Sequence, residues 1–462
     1  MAEPDFIKPH AIMVEFLFQG HINPFINLAI GLASKGCTVT YVQTECNQHL
    51  ISKARAADPH TPEPDFGLDI RFKTISDGFP LDFDRELNFV DNYLWLPAVA
   101  AKYNLPAVSF WPSAALRLSV GYHLELLKEK GLFRSCGDYN ADIHGHIPGV
   151  KLTDVTDFIT YFVPEDDEMV PPVLREGIVK AHLEVRKADF ILYYTVQELE
   201  VETLSALDQE LPSYAVRPTN FLLHLISTVT IISRRSLRQE TDCAEWLGSK
   251  PPGSVLFVSF GSFAQTSKQV IREIARGLQT SRVNFVWVLD LDTSVDGGTH
   301  DNGALPPGFE SDIADRRLII PWCDQCKVLS HPTIGGFLTH CGWSSIMESI
   351  WFGVPMICYP IFTDQPTNRN MVVNEWKVGV NLCDEPPVSA EEVAQKVGRL
   401  MSGNNNVSDE LRREMMKTSE IVHNAMASNG SSDRNLERFL LDLKEKIRTK
   451  EQGRVKQFVA SQ

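Results

Sequence analysis

The feature that most limits what this chain can become is a strand, a sharp turn and a helix near the N-terminus, repeated in the second half. Ala11 to Leu17 is an apolar run broken only by Glu15, as expected of a strand buried in a parallel sheet. Gln19-Gly20-His21-Ile22-Asn23-Pro24 reads as a turn. Phe25, Leu28, Ala29, Leu32 and Ala33 then recur at helical spacing until Gly36, and a second strand starts at Thr38 to Val42. The pattern restarts with a strand at Ser254 to Phe260, a turn at Gly261-Ser262 and a helix over Lys268 to Leu278. Asn284 to Leu289, Leu318 to Pro321, Gly335 to Leu338 and Pro355 to Tyr359 follow as further strands. Repeated βαβ units predict an α/β fold of two Rossmann-like domains facing each other across a cleft. The expected division is 1–216, a linker over 217–241, a second domain over 242–435, and a C-terminal helix and tail over 436–462. The tail is charged and expected to fray.

Composition excludes several functions. The net charge is −15, from 59 acidic against 44 basic residues, without a basic stripe, so nucleic acid is not an expected partner. Nine cysteines are an odd count for a closed disulfide framework. Met1 to Pro9 carries Glu3 and Asp5 and no apolar core, which is not a secretory signal, and no run of apolar residues is long enough to span a membrane. The expectation is a cytoplasmic protein.

The densest chemistry lies in WCDQCKVLSHPTIGGFLTHCGWSSIMESIWFGVPMICYPIFTDQ, from Trp322 to Gln365. His340-Cys341-Gly342-Trp343-Ser344-Ser345 follows a short apolar strand and leads into a helix over Ile346 to Trp351. Such a junction offers free backbone N–H groups and the positive end of a helix dipole, which suits a diphosphate. Read singly, each feature has a plainer account: Ser345-x-x-Glu348 is also a capping box, and Trp322 also suits a core.

Taken whole, the segment resembles the signature box of plant family-1 UDP-glycosyltransferases, which have the GT-B fold. The resemblance covers nearly the whole chain and is closest to the family-86 branch. It implies that 1–216 binds the acceptor and 242–435 the UDP-sugar donor. It implies Trp322 stacked on uracil, the Cys323 backbone bonded to the base, Gln325 and Glu348 on ribose, and His340 and Ser345 on phosphate. Trp343, Asp364 and Gln365 would meet the sugar hydroxyls, the last as in glucose-preferring members, and Ser262 would complete the phosphate site. The family usually has asparagine where this chain has Ser344, a change expected to weaken donor binding by about 1 kcal/mol, the net worth of one hydrogen bond.

Transfer from an α-linked UDP-sugar needs the acceptor hydroxyl deprotonated as it attacks the anomeric carbon, and histidine is the natural base near neutral pH. His21 fits by its place after the first strand, although a lone turn histidine is more often simply solvated. The resemblance of GHINP to the family's catalytic turn assigns it the role. Asp91 stands where the family places the carboxylate that orients the base; its plain alternative is a helix cap.

Two segments depart from the pattern. Only Leu81 to Val90 separates Asp77-Gly78-Phe79-Pro80 from Asp91, where relatives carry a longer stretch, enough for about two helices and most of a strand. Arg217-Pro218 replaces the usual Gly-Pro and is followed by an apolar run, Phe221 to Ile232. Cys323-x-x-Cys326 lacks a second pair for zinc, and Asp290-Leu291-Asp292 reads as a solvated loop. No cofactor or metal is therefore expected. Trp95, Phe110 and Trp111 fit an aromatic pocket but fit a core slightly better. The expected function is metal-independent, inverting transfer of a sugar, glucose by preference, from UDP-glucose or a similar donor to a small lipophilic acceptor. The alternative is a UDP-sugar-binding protein impaired by the short acceptor domain. A nicotinamide oxidoreductase is disfavoured because no G-x-G-x-x-G opens a helix.

Overall fold

The computed structural model describes residues 8–15, 19–56, 67–81, 83, 96–130, 145–151, 172–216, 236–261, 267–289, 305–309, 315–403 and 406–460. Among the described residues twelve strands run in chain order: β1 (His10–Val14), β2 (Thr38–Thr44), β3 (Ile70–Ile75), β4 (Val108–Trp111), β5 (Phe190–Tyr194), β6 (Ser213–Val216), β7 (Val255–Ser259), β8 (Asn284–Val288), β9 (Arg317–Ile320), β10 (Ile334–Thr339), β11 (Met356–Cys358) and β12 (Gly379–Asn381). Every pairing among them is parallel. The helices used below are α1 (Gln19–Ser34), α2 (Ala115–Tyr122), α3 (Lys268–Ser281), α4 (Trp343–Trp351), α5 (Gln365–Asn370), α6 (Ala390–Met401) and α7 (Ser431–Ala460).

The second unit is one six-stranded sheet in the order β9-β8-β7-β10-β11-β12. This is the doubly wound order, with its reversal between β7 and β10. Val255–Ser259 and Ile334–Thr339 are buried at every position, which is why their sequences show no polar alternation. The first unit has the same order cut in two: β3-β2-β1 forms one three-stranded sheet and β4-β5-β6 another. Among the described residues β1 and β4 are not paired, and each is an open edge. Their side chains show it, with Ile12 64% and Val108 40% exposed. Glu15, the break in the first apolar run, is fully buried, accepting from the Tyr41 hydroxyl at 2.6 Å and from Asn47 Nδ2 at 3.0 Å.

Two local expectations change. The Gln19–Pro24 stretch is helical, the first turns of α1, with Pro24 inside the helix. The charged C-terminus is helical through Ala460, and α7 crosses back onto the first unit. Leu436, Phe439 and Leu440 pack with Met13, Leu28, Phe190 and Tyr214. Asn435 Nδ2 donates to the Ala215 carbonyl at 3.1 Å, and Lys450 Nζ to the Leu105 carbonyl at 2.7 Å. These partners are far away in sequence, so charge alone made the segment look like a tail. The Arg217–Ile232 departure lies outside the described residues. Among the described residues no helix is long and apolar enough to cross a membrane.

Helices α3 and α6 pack closely against each other because Gly277 has no side chain. A Cβ there would lie 2.4 Å from Val393 Cβ and 2.8 Å from the Ala390 carbonyl oxygen, neither of which can swing away. Gly→Ala inside a helix usually gains about 1 kcal/mol, but overpacking costs about 1–3 kcal/mol. Gly277→Ala is therefore expected to lower the urea midpoint with an unchanged slope.

Candidate active site

Each unit reverses its strand order once, and a reversal opens a crevice at the carboxyl ends of the flanking strands. The two crevices face each other. The first presents α1 after β1 and α2 after β4; the second presents Gly261 after β7 and His340-Cys341-Gly342 after β10. Between them lies one cavity of about 1310 Å³, lined from the first unit by His21 and Arg117 and from the second by Trp322, His340, Glu348 and Asp364.

Pro24 ties the halves together. Lacking an N–H, it cannot bond the Gly20 carbonyl, which a regular helix would use. That carbonyl instead accepts from Ser344 Oγ at 3.3 Å. A second bridge runs from Trp343, whose buried indole N–H donates to the Tyr194 carbonyl at the end of β5, 2.7 Å away.

The turn after β10 is strained. Cys341 has φ +65° and Thr363, beside Asp364, has φ +58°, both in the left-handed region that side chains disfavour. Asn368 holds both: its Nδ2 donates to the Cys341 carbonyl and to Asp364 Oδ2, each at 3.0 Å. The Cys341 N–H also donates to Thr339 Oγ1 at 3.2 Å. The His340 ring is wedged between two glycines, since a Cβ at Gly261 or Gly342 would lie 2.6 or 2.5 Å from its Nε2.

The N-cap of helix α4 is Gly342, so Ser345 is inside its first turn and the capping box is not formed. Ser345 instead accepts from Gln325 Nε2 at 3.0 Å, and the same amide donates to Glu348 Oε2 at 2.7 Å. Gln325, Ser345 and Glu348 thus form one polar cluster in the cavity that Trp322 also lines. The Arg238 guanidinium lies 5.4 Å from the Trp322 ring centre. The Thr241 N–H bonds the Trp322 carbonyl at 2.9 Å, fixing the backbone that leads into the buried Cys323. Gln365 Oε1 accepts the N–H groups of Ile361 and Phe362 at 2.8 and 3.1 Å, which leaves its amide NH₂ for a ligand.

Burial sets the charges. It drives His21 down to about 4; Asp364 opposes this and the Arg117 guanidinium adds to it. Burial likewise lowers His340 to about 4, opposed by Asp364 and by the Ser259 backbone. Both rings are neutral at pH 7, with a lone pair for a proton. Glu348 moves the other way, up to about 7 by burial, with the Gln325 bond pulling against it.

The sequence-predicted residues Trp322, Cys323, Gln325, His340, Trp343, Ser344, Ser345, Glu348, Asp364 and Gln365 all border the cavity, and His21 faces them. Asp91, Ser262, Trp95 and the Asp290-Leu291-Asp292 run lie outside the described residues. Phe110 and Trp111, read as core, border the cavity; Phe110 meets Phe25 edge-on at 5.0 Å. Arg117 was missed. Its side chain is 14% exposed, 3.8 Å from Asp364 of the other unit and 5.8 Å from the Trp111 ring centre. The signal was available: a lone arginine within the apolar helix Ala-Leu-Arg-Leu-Ser-Val. Asn368, fully buried, carried none.

Asn368→Ala is expected to cost about 2–3 kcal/mol, as two bonds are lost and buried groups are left unpaired. Asn368→Asp should cost more, because it sets a second carboxylate 3.0 Å from Asp364. Chemical denaturation of the three proteins at pH 7 measures both.

Neutral imidazoles, a helix terminus and a carboxylate cluster around one cleft suit binding of a diphosphate-linked, hydroxyl-rich ligand and proton transfer from a nearby hydroxyl. Comparison with known proteins agrees. Residues 185–426 match the family model described as UDP-glucoronosyl and UDP-glucosyl transferase. UDP-glycosyltransferase 86A1 of Arabidopsis thaliana is 40% identical over 96% of this chain and 96% of its own. That alignment has 483 positions yet draws on 96% of a 462-residue chain, so at about 40 positions the relative has residues and this chain has none. A 7-deoxyloganetin glucosyltransferase of Gardenia jasminoides is 34% identical over 93% of this chain and 96% of its own. The structure of Phytolacca americana UGT2 complexed with UDP-2fluoro-glucose and pterostilbene superposes with a TM-score of 0.71, at 25% identity, over 94% of this chain and all of that one.

Proposed function

The chain belongs to the UDP-glucuronosyl and UDP-glucosyl transferase family, with the GT-B fold of its plant members; on that premise we propose that it moves glucose from UDP-glucose to a hydroxyl of a small lipophilic acceptor, with inversion. The enzyme is a UDP-glycosyltransferase; the sugar, the stereochemistry and the residue roles are the proposal. Residues 1–216 take the acceptor, 242–435 the donor, 217–241 link them, and 436–462 form the closing helix and its end. The observation that carries the reading is the convergence of His21 with Trp322, Gln325, His340, Ser345, Glu348 and Asp364 on one cavity.

In this reading Trp322 stacks on uracil, the Cys323 backbone bonds the base, and ionised Glu348 with Gln325 accepts and orients the ribose hydroxyls. His340, Ser345, Ser262, the backbone N–H of Ser344 and the α4 terminus receive the diphosphate, so its charge is met by protein donors while the Ser344 hydroxyl stays on the Gly20 carbonyl. Asp364, Gln365 and Trp343 hold the sugar. Neutral His21 takes the acceptor's proton as the oxygen bonds the anomeric carbon. The bond from that carbon to phosphate breaks, and UDP leaves with the electron pair, giving the β-glycoside. Asp91 stabilises the imidazolium that forms. Support for glucose comes from Gln365, as in glucose-preferring members, and from the fluoroglucose donor of the Phytolacca enzyme. The pterostilbene bound there and the Gardenia enzyme's name support a lipophilic acceptor. A second reading, donor binding without transfer, is favoured by the opening between β1 and β4.

The deciding measurement is UDP release from UDP-glucose with a panel of plant phenolics. His21→Ala is expected to lose about 100-fold or more in turnover, the low end for removal of a general base, while still binding UDP. An unchanged rate removes His21 from catalysis; no release from the wild type, with UDP bound, selects the second reading.

Glu348 supplies a pH test. With a pKa near 7, it is increasingly protonated below neutrality and loses the charge that holds ribose. UDP affinity relative to Glu348→Gln should fall about tenfold per pH unit well below 7. Titration calorimetry at pH 5.5, 6.5 and 8 reads this, and a ratio constant with pH ends the assignment.

A further inference from the structure

The two units share a strand order but not its closure. In the second, β7 and β10 pair through Val258–Leu338 and Ser259–Thr339, sealing the sheet at its reversal. In the first, the equivalent strands β1 and β4 are both open edges among the described residues. Ile12 on β1 and Val108 on β4 therefore expose apolar side chains at the centre of what would be a continuous sheet. These side chains do not open onto a separate surface. One cavity is lined by His21 and Trp322, by Ile12 and Val108 on the two strands, and by Leu443 and Ile447 of α7. The chain's internal shortfall against the Arabidopsis relative is in keeping with an opening made by missing length.

A pocket for a drug-sized ligand is about 300–1,000 Å³; the 1310 Å³ here exceeds that range, and its lining reaches Leu443 and Ile447 of α7 as well as His21 and Trp322. We propose that this extension is an acceptor channel through the split sheet, taking an elongated lipophilic acceptor whose reacting hydroxyl lies at His21 and whose apolar body runs between β1 and β4 toward α7. The proposal rests on the transferase reading for the hydroxyl's position, and on the cavity alone for the body's path. Continuity with the cleft selects the occupant: a molecule anchored at His21 and longer than a single ring has this path lined with apolar side chains. Compact acceptors leave it empty.

The probes are 4-methylphenol, 4-butylphenol and 4-octylphenol, each assayed for UDP release from UDP-glucose and, separately, for binding by titration calorimetry. Full burial of a methylene is worth about fourfold in affinity. Allowing for partial burial, kcat/KM and affinity are expected to rise at least about tenfold from methyl to octyl. Ile12→Trp and Val108→Trp, which block the path from opposite lips, should each bring the octyl-to-methyl ratio close to one. A ratio near one in the wild type, or a high ratio untouched by both tryptophans, overturns the channel. Turnover of 4-methylphenol without a length gain overturns the channel and leaves the transferase reading in place. Length-dependent binding that both tryptophans abolish, without turnover of any phenol, upholds the channel and counts against the transferase reading.

Discussion

Parallel strands cannot be joined by a tight turn, and the rest of the molecule depends on how the chain meets that constraint. Each crossover places a helix on one face of the sheet. Where the strand order reverses, successive crossovers go to opposite faces, and the loops part above the carboxyl ends of the two central strands. The chain does this twice. One parting supplies the first turn of α1 and the start of α2, hence His21 and Arg117. The other supplies Gly261, His340 and the first turn of α4. Neither unit lines the whole cavity, so the candidate site exists only where the two partings meet.

Holding that meeting point requires unfavourable local choices, compensated by neighbours. Cys341 and Thr363 adopt a backbone conformation that costs on the order of 1–3 kcal/mol each, and Asn368 with Thr339 keeps them there. Glu348 is buried against its preference for water, with Gln325 as its hydrogen-bond donor. The same burial that makes these groups expensive to assemble keeps both histidines neutral.

Much of this was legible in the sequence, for a physical reason. Central parallel strands have no solvent face, so β7, β8 and β10 appear as unbroken apolar runs whose observed ends differ from expectation by a residue or so. The box from Trp322 to Gln365 folds into one wall of the cleft because its spacing is that of successive strand ends. Legibility failed where a residue's partner is remote. Pro24 reads as a helix breaker until the freed Gly20 carbonyl is seen to accept from Ser344. The end of α7 reads as a solvated tail because Ala215 and Leu105 lie more than two hundred positions away. Arg117 is a lone charge until Asp364 is brought opposite it. The shortened interval before Asp91 was visible as a length, but that β1 and β4 stay unpaired among the described residues needed the strand order.

The return of α7 changes what the molecule is as an assembly. The chain leaves the first unit after β6 and comes back to it at α7, where Asn435 and Lys450 bond its carbonyls. Topologically the second unit is an insertion, hung from the first at two places. A body attached at one point can swivel in any direction; attached at two, it keeps chiefly rotation about the line joining them. The bonds that cross the cleft, from Ser344 to the Gly20 carbonyl and from Trp343 to the Tyr194 carbonyl, are the ones such a rotation would break and remake.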